Sequence, residues 1–133
     1  MKAVGYNTPG SLDRDDALLD IEIDPPSAQG RDLLVRVQAV SVNPVDTKIR
    51  KNRAPDGTEH AILGWDAVGE VIEAGPDASL FSPGDAVWYA GAINRSGSNA
   101  EYHLVDERIV GRKPTSVSAA EGGGPAADRP YGL

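Results

Sequence analysis

The sequence predicts a mainly β domain, an antiparallel barrel or sandwich with one or two short helices. Two observations lead there. Apolar and polar residues alternate over several short runs, the period-2 signature of half-buried strands. Those runs recur at roughly 8–12-residue spacing, divided by turns rich in glycine and proline. The length of 133 residues suits one domain, and a hydrophobic share of 40% is enough for a real core. Only 5% of residues are aromatic, so that core must be mainly Val, Ile, Leu and Ala.

The elements follow in chain order. The start, MKAVGYNTPG, has no apolar leader core, and nowhere does the chain approach the roughly 18 apolar residues of a membrane span. Ala17, Leu19, Ile21 and Ile23 alternate with Leu18, Asp20, Glu22 and Asp24, giving a strand with one acidic face. In 33–42, Leu33, Val35, Val37 and Ala39 share one side, opposite Arg36 and Gln38. Asn43 then offers a helix cap, Pro44 suits the first helical position, and Asp46 puts a carboxylate in the first turn. A short helix is therefore expected from Pro44 to about Lys51. Residues 67–74 (AVGEVIEA) read as a strand that ends at Gly75-Pro76. Ser82-Pro83-Gly84-Asp85 has the form of a type II turn. It leads to strands at 86–90, 101–105 and 108–110.

Composition excludes several functions. A formal net charge of −7 without a basic cluster argues against a nucleic-acid binder and an anionic membrane surface. The absence of cysteine removes disulfides, thiolate nucleophiles and every Cys-based zinc site, and it fits a reducing cytoplasm. His60 and His103 have no partner at metal or triad spacing, so both read as ordinary loop and strand residues, and no metal is expected.

The runs VSVNPVDTKIR (40–50), LGWDAVGEVIEAG (63–75), FSPGDAVW (81–88) and GSNAEYHLV (97–105) resemble the medium-chain dehydrogenase/reductase superfamily. Within it the chain is similar to the zinc-independent quinone oxidoreductase branch, including members labelled zinc-type alcohol dehydrogenase-like. The resemblance runs from Met1 to about Glu121. It implies an N-terminal catalytic domain over 1–121 with a GroES-like fold, an irregular β-barrel, followed in the intact family by a Rossmann domain that binds NADPH. Where the classical zinc enzymes place a Cys ligand this chain has Asn43, and where they place Gly-His-Glu it has Gly64-Trp65-Asp66.

By that resemblance Asn43 sits beside the nicotinamide and the substrate, where its amide can donate to a carbonyl, in addition to capping the helix. Lys48 is assigned to the cofactor side, with a solvated lysine as the alternative. Trp65 and Asp66 border the substrate cleft, with simple packing the alternative for Trp65. Tyr89 faces the same cleft or packs in the core.

The family's glycine-rich phosphate cradle has no counterpart, since Gly122-Gly123-Gly124-Pro125 does not follow a strand. Residues 118–121 (SAAE) form a capping box that the following GGGPAADRPYGL breaks. The segment 122–133 is therefore anomalous. It reads either as the start of the linker to a missing Rossmann domain, shifted in frame over 122–130, or as a flexible Gly/Pro-rich tail. The expected function is the catalytic-domain portion of a quinone or enone oxidoreductase, acting on a small molecule, with a homodimer possible and no nucleic-acid or membrane partner. The alternative is a stand-alone, non-catalytic GroES-like binding or assembly module.

Overall fold

The computed structural model describes residues 1–114, apart from 12, 56, 58 and 59, together with residue 118. Its elements are β1 (Lys2–Tyr6), β2 (Leu19–Glu22), β3 (Asp32–Ser41), α1 (Pro44–Asn52), β4 (Ala61–Ile62), β5 (Asp66–Ala74), β6 (Ala86–Ala90), β7 (Tyr102–Asp106) and β8 (Val110–Arg112), with a 3₁₀ turn at Glu107–Ile109. The domain is mainly β, as the alternation predicts. Residues 119–133, for which the sequence predicts a broken helix start and an anomalous segment, lie outside the described residues.

The strands form two antiparallel sheets, ordered β2-β1-β4 and β7-β3-β5-β6-β8. The barrel expected from the resemblance takes the form of two open sheets joined at a corner. There Ala3 bridges Ala100, Val4 N–H donates to Asn99 O at 2.9 Å, and Glu101 N–H donates to Lys2 O at 3.0 Å. β1 was not among the expected strands. Glycine at position 5 interrupts its apolar alternation, yet Ala3 and Tyr6 are both buried.

Two cores result. Leu33, Val35, Ala67, Val71, Val87, Tyr89 and Val105 pack on one face of the large sheet. Tyr6, Ile49, Leu63 and Trp65 pack where α1 meets the small sheet. The turn after Phe81 forms as predicted: Gly84 has φ +96° and Asp85 N–H donates to Ser82 O at 3.1 Å.

The polar row on α1 divides into two faces. Thr47 and Lys48 are exposed, whereas Asp46 and Arg50, four residues apart on one helical face, are buried beside Ile49. Arg50 Nε donates to Ala17 O at 2.5 Å and Nη1 to Thr8 O at 2.9 Å, while the guanidinium lies 4.6 Å from the Tyr6 ring centre. The helix is thereby tied to the loop after β1.

Candidate functional site

β3 and β5 run together to their last pair, Ser41 with Asp66. Beyond it the chain leaves the sheet through the exposed Val42 and turns into α1 at Asn43, whose backbone is extended at φ −126° and ψ 163°. Proline at the first helical position fixes that start, because its ring presets a helical φ and it lacks an N–H that would go unpaired there. Asn43 is thus held beside the start of β5.

Three side chains build the site. Asn43 Nδ2 donates to Asp66 Oδ2. Asp46 Oδ2 accepts from the Asn43 backbone N–H at 2.7 Å, and its Oδ1 accepts from Gly64 N–H at 2.9 Å. Three hydrogen bonds therefore link Asn43, Asp46, Gly64 and Asp66 into a ring that the backbone closes through Trp65, the one residue between Gly64 and Asp66. Asp46 and Asp66 are both buried. Burial pushes the Asp66 carboxyl above the usual carboxylate range; the bond from Asn43 opposes this, and the nearby charge of Asp46 adds to it.

Gly64 is required here on two grounds. Its φ of +97° lies in the left-handed region, and a Cβ on it would fall 2.5 Å from Asn99 Oδ1 and 2.8 Å from Ser98 Oγ.

Of the residues singled out in the sequence, Asn43 and Asp66 are thus in direct contact. Lys48 is exposed on α1. Trp65 turns away: its ring packs with Tyr6, Ile49 and Leu63, and its Nε1–H donates to Arg95 O at 3.3 Å. It lines a cavity of about 510 Å³ with Tyr6, Arg53 and His60, and neither Asn43 nor Asp66 lines that cavity. A larger groove of about 870 Å³, between β1, β2 and the second half of β3, also excludes them.

Of its two alternatives Tyr89 takes core packing, which corrects its assignment to the substrate cleft. It is 4% exposed within the main core, not in a cleft with Asn43, because β6 turns its ring inward beside Val87. There its hydroxyl lies 2.7 Å from His103 Nδ1, and the two rings stack at 5.5 Å. His103 Nε2 lies 2.9 Å from Ser96 O, which can only accept. Nε2 therefore carries the proton, and Tyr89 O–H donates to Nδ1.

Sequence reasoning missed the roles of Asp46, Gly64 and His103. The first had a signal: Asp46 stands three residues after Asn43, the spacing of a capping box. His103 had none, since its partner Tyr89 sits on a strand three places away across the sheet.

The sequence profile of the alcohol dehydrogenase GroES-like domain matches residues 29–115. A zinc-type alcohol dehydrogenase-like protein of Staphylococcus aureus is 46% identical over 121 residues, 91% of this chain and 36% of that protein. A chloroplastic quinone-oxidoreductase homolog of Spinacia oleracea is 34% identical over 92% of this chain and 37% of its own length. A crystal structure from Rhizobium etli, provisionally assigned as a zinc-dependent alcohol dehydrogenase, superposes with a TM-score of 0.90 and 57% identity, over 92% of this chain and 36% of that one. This chain spans little more than a third of the length of these relatives. With the family profile covering most of its residues, the chain belongs to the alcohol dehydrogenase GroES-like domain family.

Proposed function

We propose that this chain is the substrate-facing portion of an NADPH-dependent oxidoreductase that reduces a quinone or enone without a metal. One observation carries the reading: the Asn43 amide is held by Asp66 through one Nδ2–H, which leaves the second as a donor at the β3–α1 corner. The names of relatives as oxidoreductases of alcohols and quinones support the reaction class.

In this reading Asn43 donates to the substrate carbonyl oxygen. When bound, the nicotinamide supplies a hydride to the conjugated carbon. Electron density then moves onto the carbonyl oxygen, where the Asn43 N–H stabilises the growing negative charge and water delivers the balancing proton. Among the described residues no glycine turn between a strand and a helix is placed to cradle a pyrophosphate. In this reading the described residues meet the nicotinamide end, through Asn43, with the exposed Lys48 as a cation on α1.

Zinc does not suit the donors present. The ion needs lone pairs from thiolate, imidazole or carboxylate. Asn43 turns its N–H toward Asp66, Trp65 donates to Arg95, and both Asp46 oxygens hold backbone N–H groups, which leaves Asp66 as a lone carboxylate; among the described residues no three His, Asp or Glu side chains gather to hold an ion.

The test is a titration of the ¹⁵N-labelled chain with menadione, a conjugated quinone, followed by NMR. The Asn43 side-chain amide should shift, with or without a chelator. Shifts confined to the Trp65 cavity would move the site away from Asn43 and sink this reading.

A further inference from the structure

The donor and acceptor ends of an asparagine amide have nearly the same shape and exchange places by a half-turn of one bond. A site that relies on the donor end needs something to prevent that turn. We propose that Asp66 is the positioning residue: its carboxylate holds Nδ2 of Asn43 and so keeps the amide's second N–H, rather than Oδ1, facing the substrate carbonyl. This rests on the reading of Asn43 as the carbonyl donor.

The geometry gives the lock its rigidity. An ionised carboxylate accepts and cannot donate, so it selects the nitrogen of the amide. The two backbones are pinned independently of that contact. Ser41 and Asp66 are the last register pair of β3 and β5, and Asp46 clamps Asn43 N–H at 2.7 Å and Gly64 N–H at 2.9 Å. Asp46 is directed elsewhere, one oxygen on the Asn43 backbone N–H and the other on Gly64 N–H, whereas Asp66 is the carboxylate that meets Nδ2. Asp66 is 8% exposed, so water competes little for its Oδ2. Asp46, from α1, is the charged neighbour that acts on it, and together with burial it raises the Asp66 carboxyl. A protonated Asp66 could donate to Oδ1 and release the amide, so the lock depends on the ionised form.

The experiment uses the ¹⁵N-labelled chain, its Asp66→Asn and Asp66→Glu variants, and menadione as the probe. The chain has no cysteine, so no thiol adds to the quinone. In the wild type the two Asn43 side-chain amide protons should be widely split, one held by the carboxylate and the other moving with menadione. Asp66→Asn, whose side chain can donate or accept, should collapse the splitting and weaken menadione binding at least five-fold. Asp66→Glu, which keeps a carboxylate, should restore both at least in part, a rescue that a merely space-filling residue would not give. Should Asp66→Asn fail to fold, as its melting curve would reveal, Asp66→Glu alone decides: loss of the splitting there overturns the lock.

Wild-type splitting and affinity retained in Asp66→Asn would overturn the positioning role while leaving Asn43 as the donor. Splitting that follows the carboxylate as described, with neither Asn43 resonance moved by menadione, would overturn the donor reading and the role of Asp66 with it.

Discussion

At the scale of single residues, the site turns on what stands opposite the Asn43 amide. Considered as a helix cap alone, aspartate would serve at position 43 almost as well as asparagine. The structure reverses that expectation, because Asn43→Asp would set a third carboxylate against Asp66 and Asp46. The variant should lose about 1–3 kcal/mol at neutral pH, the cost of an unsatisfied buried acceptor, with like-charge repulsion in addition. Crowded carboxylates have raised pKa values in the folded state, so they stabilise below those values and their contribution is lost as pH rises through them. Asn43→Asp should therefore regain part of its deficit as the solution is acidified toward pH 5. Paired melting curves at pH 7 and pH 5 check this; an equal deficit at both would remove the charge argument. Gly64→Ala is a second case: with φ at +97° and Asn99 Oδ1 only 2.5 Å from the new Cβ, it should cost about 1–3 kcal/mol by denaturant titration.

At the scale of elements, α1 shows what could and could not be seen in the sequence. Its start was legible because Asn43-Pro44 is a local signal, and its end near Lys51 came within one residue of Asn52. The strands with clean alternation were legible for the same reason. Leu19 and Ile21 lie on the more buried side of β2, and Asp20 and Glu22 on the exposed side. The burial of Arg50 was not legible, because its partners Thr8 and Ala17 lie far off in sequence and offer backbone carbonyls, which leave no mark in side-chain chemistry. Core packing of Tyr89 was legible as one alternative, but its bond to His103, which depends on how the sheet curls, was not. Arg50 also yields a prediction. A lysine cannot span two carbonyls with a planar fork while covering the Tyr6 ring. Arg50→Lys should lower stability by about 1–3 kcal/mol in chemical denaturation, whereas Lys48→Arg on the exposed face should be neutral. An unchanged midpoint for Arg50→Lys would mean that the loop after β1 is not held by this helix.

At the scale of the whole domain, the large sheet curls so that β6 and β7, with β3 and β5 between them in strand order, meet through the Tyr89–His103 bond. That bond requires a neutral imidazole, with Nε2–H donating to Ser96 O and Nδ1 accepting from Tyr89. Burial lowers the pKa of His103 to about 4, against an ordinary 6.5; the bond to Ser96 raises it, Arg95 lowers it further and Asp32 opposes that, without reversing the effect of burial. In the unfolded chain the ring takes up its proton near pH 6.5, while the folded ring does so only near pH 4. Between those values the unfolded state binds more protons, so stability falls as pH falls through that window. The loss amounts to about 3 kcal/mol when complete. Glu107 acts in the same direction but lower on the scale. Burial raises its carboxyl, yet hydrogen bonds from Leu80 N–H, Arg31 and Ser79 N–H outweigh this and hold it below its ordinary range. Asp66, with its raised pKa, opposes both. The His103 contribution is therefore best isolated above pH 4.5 by comparison with His103→Gln, whose amide can donate to Ser96 O and accept from Tyr89 without titrating. Denaturant midpoints from pH 7 to pH 4.5 should fall steadily for the wild type and stay nearly level for His103→Gln. Parallel slopes for the two proteins would show that His103 is not the group that makes this sheet sensitive to acid.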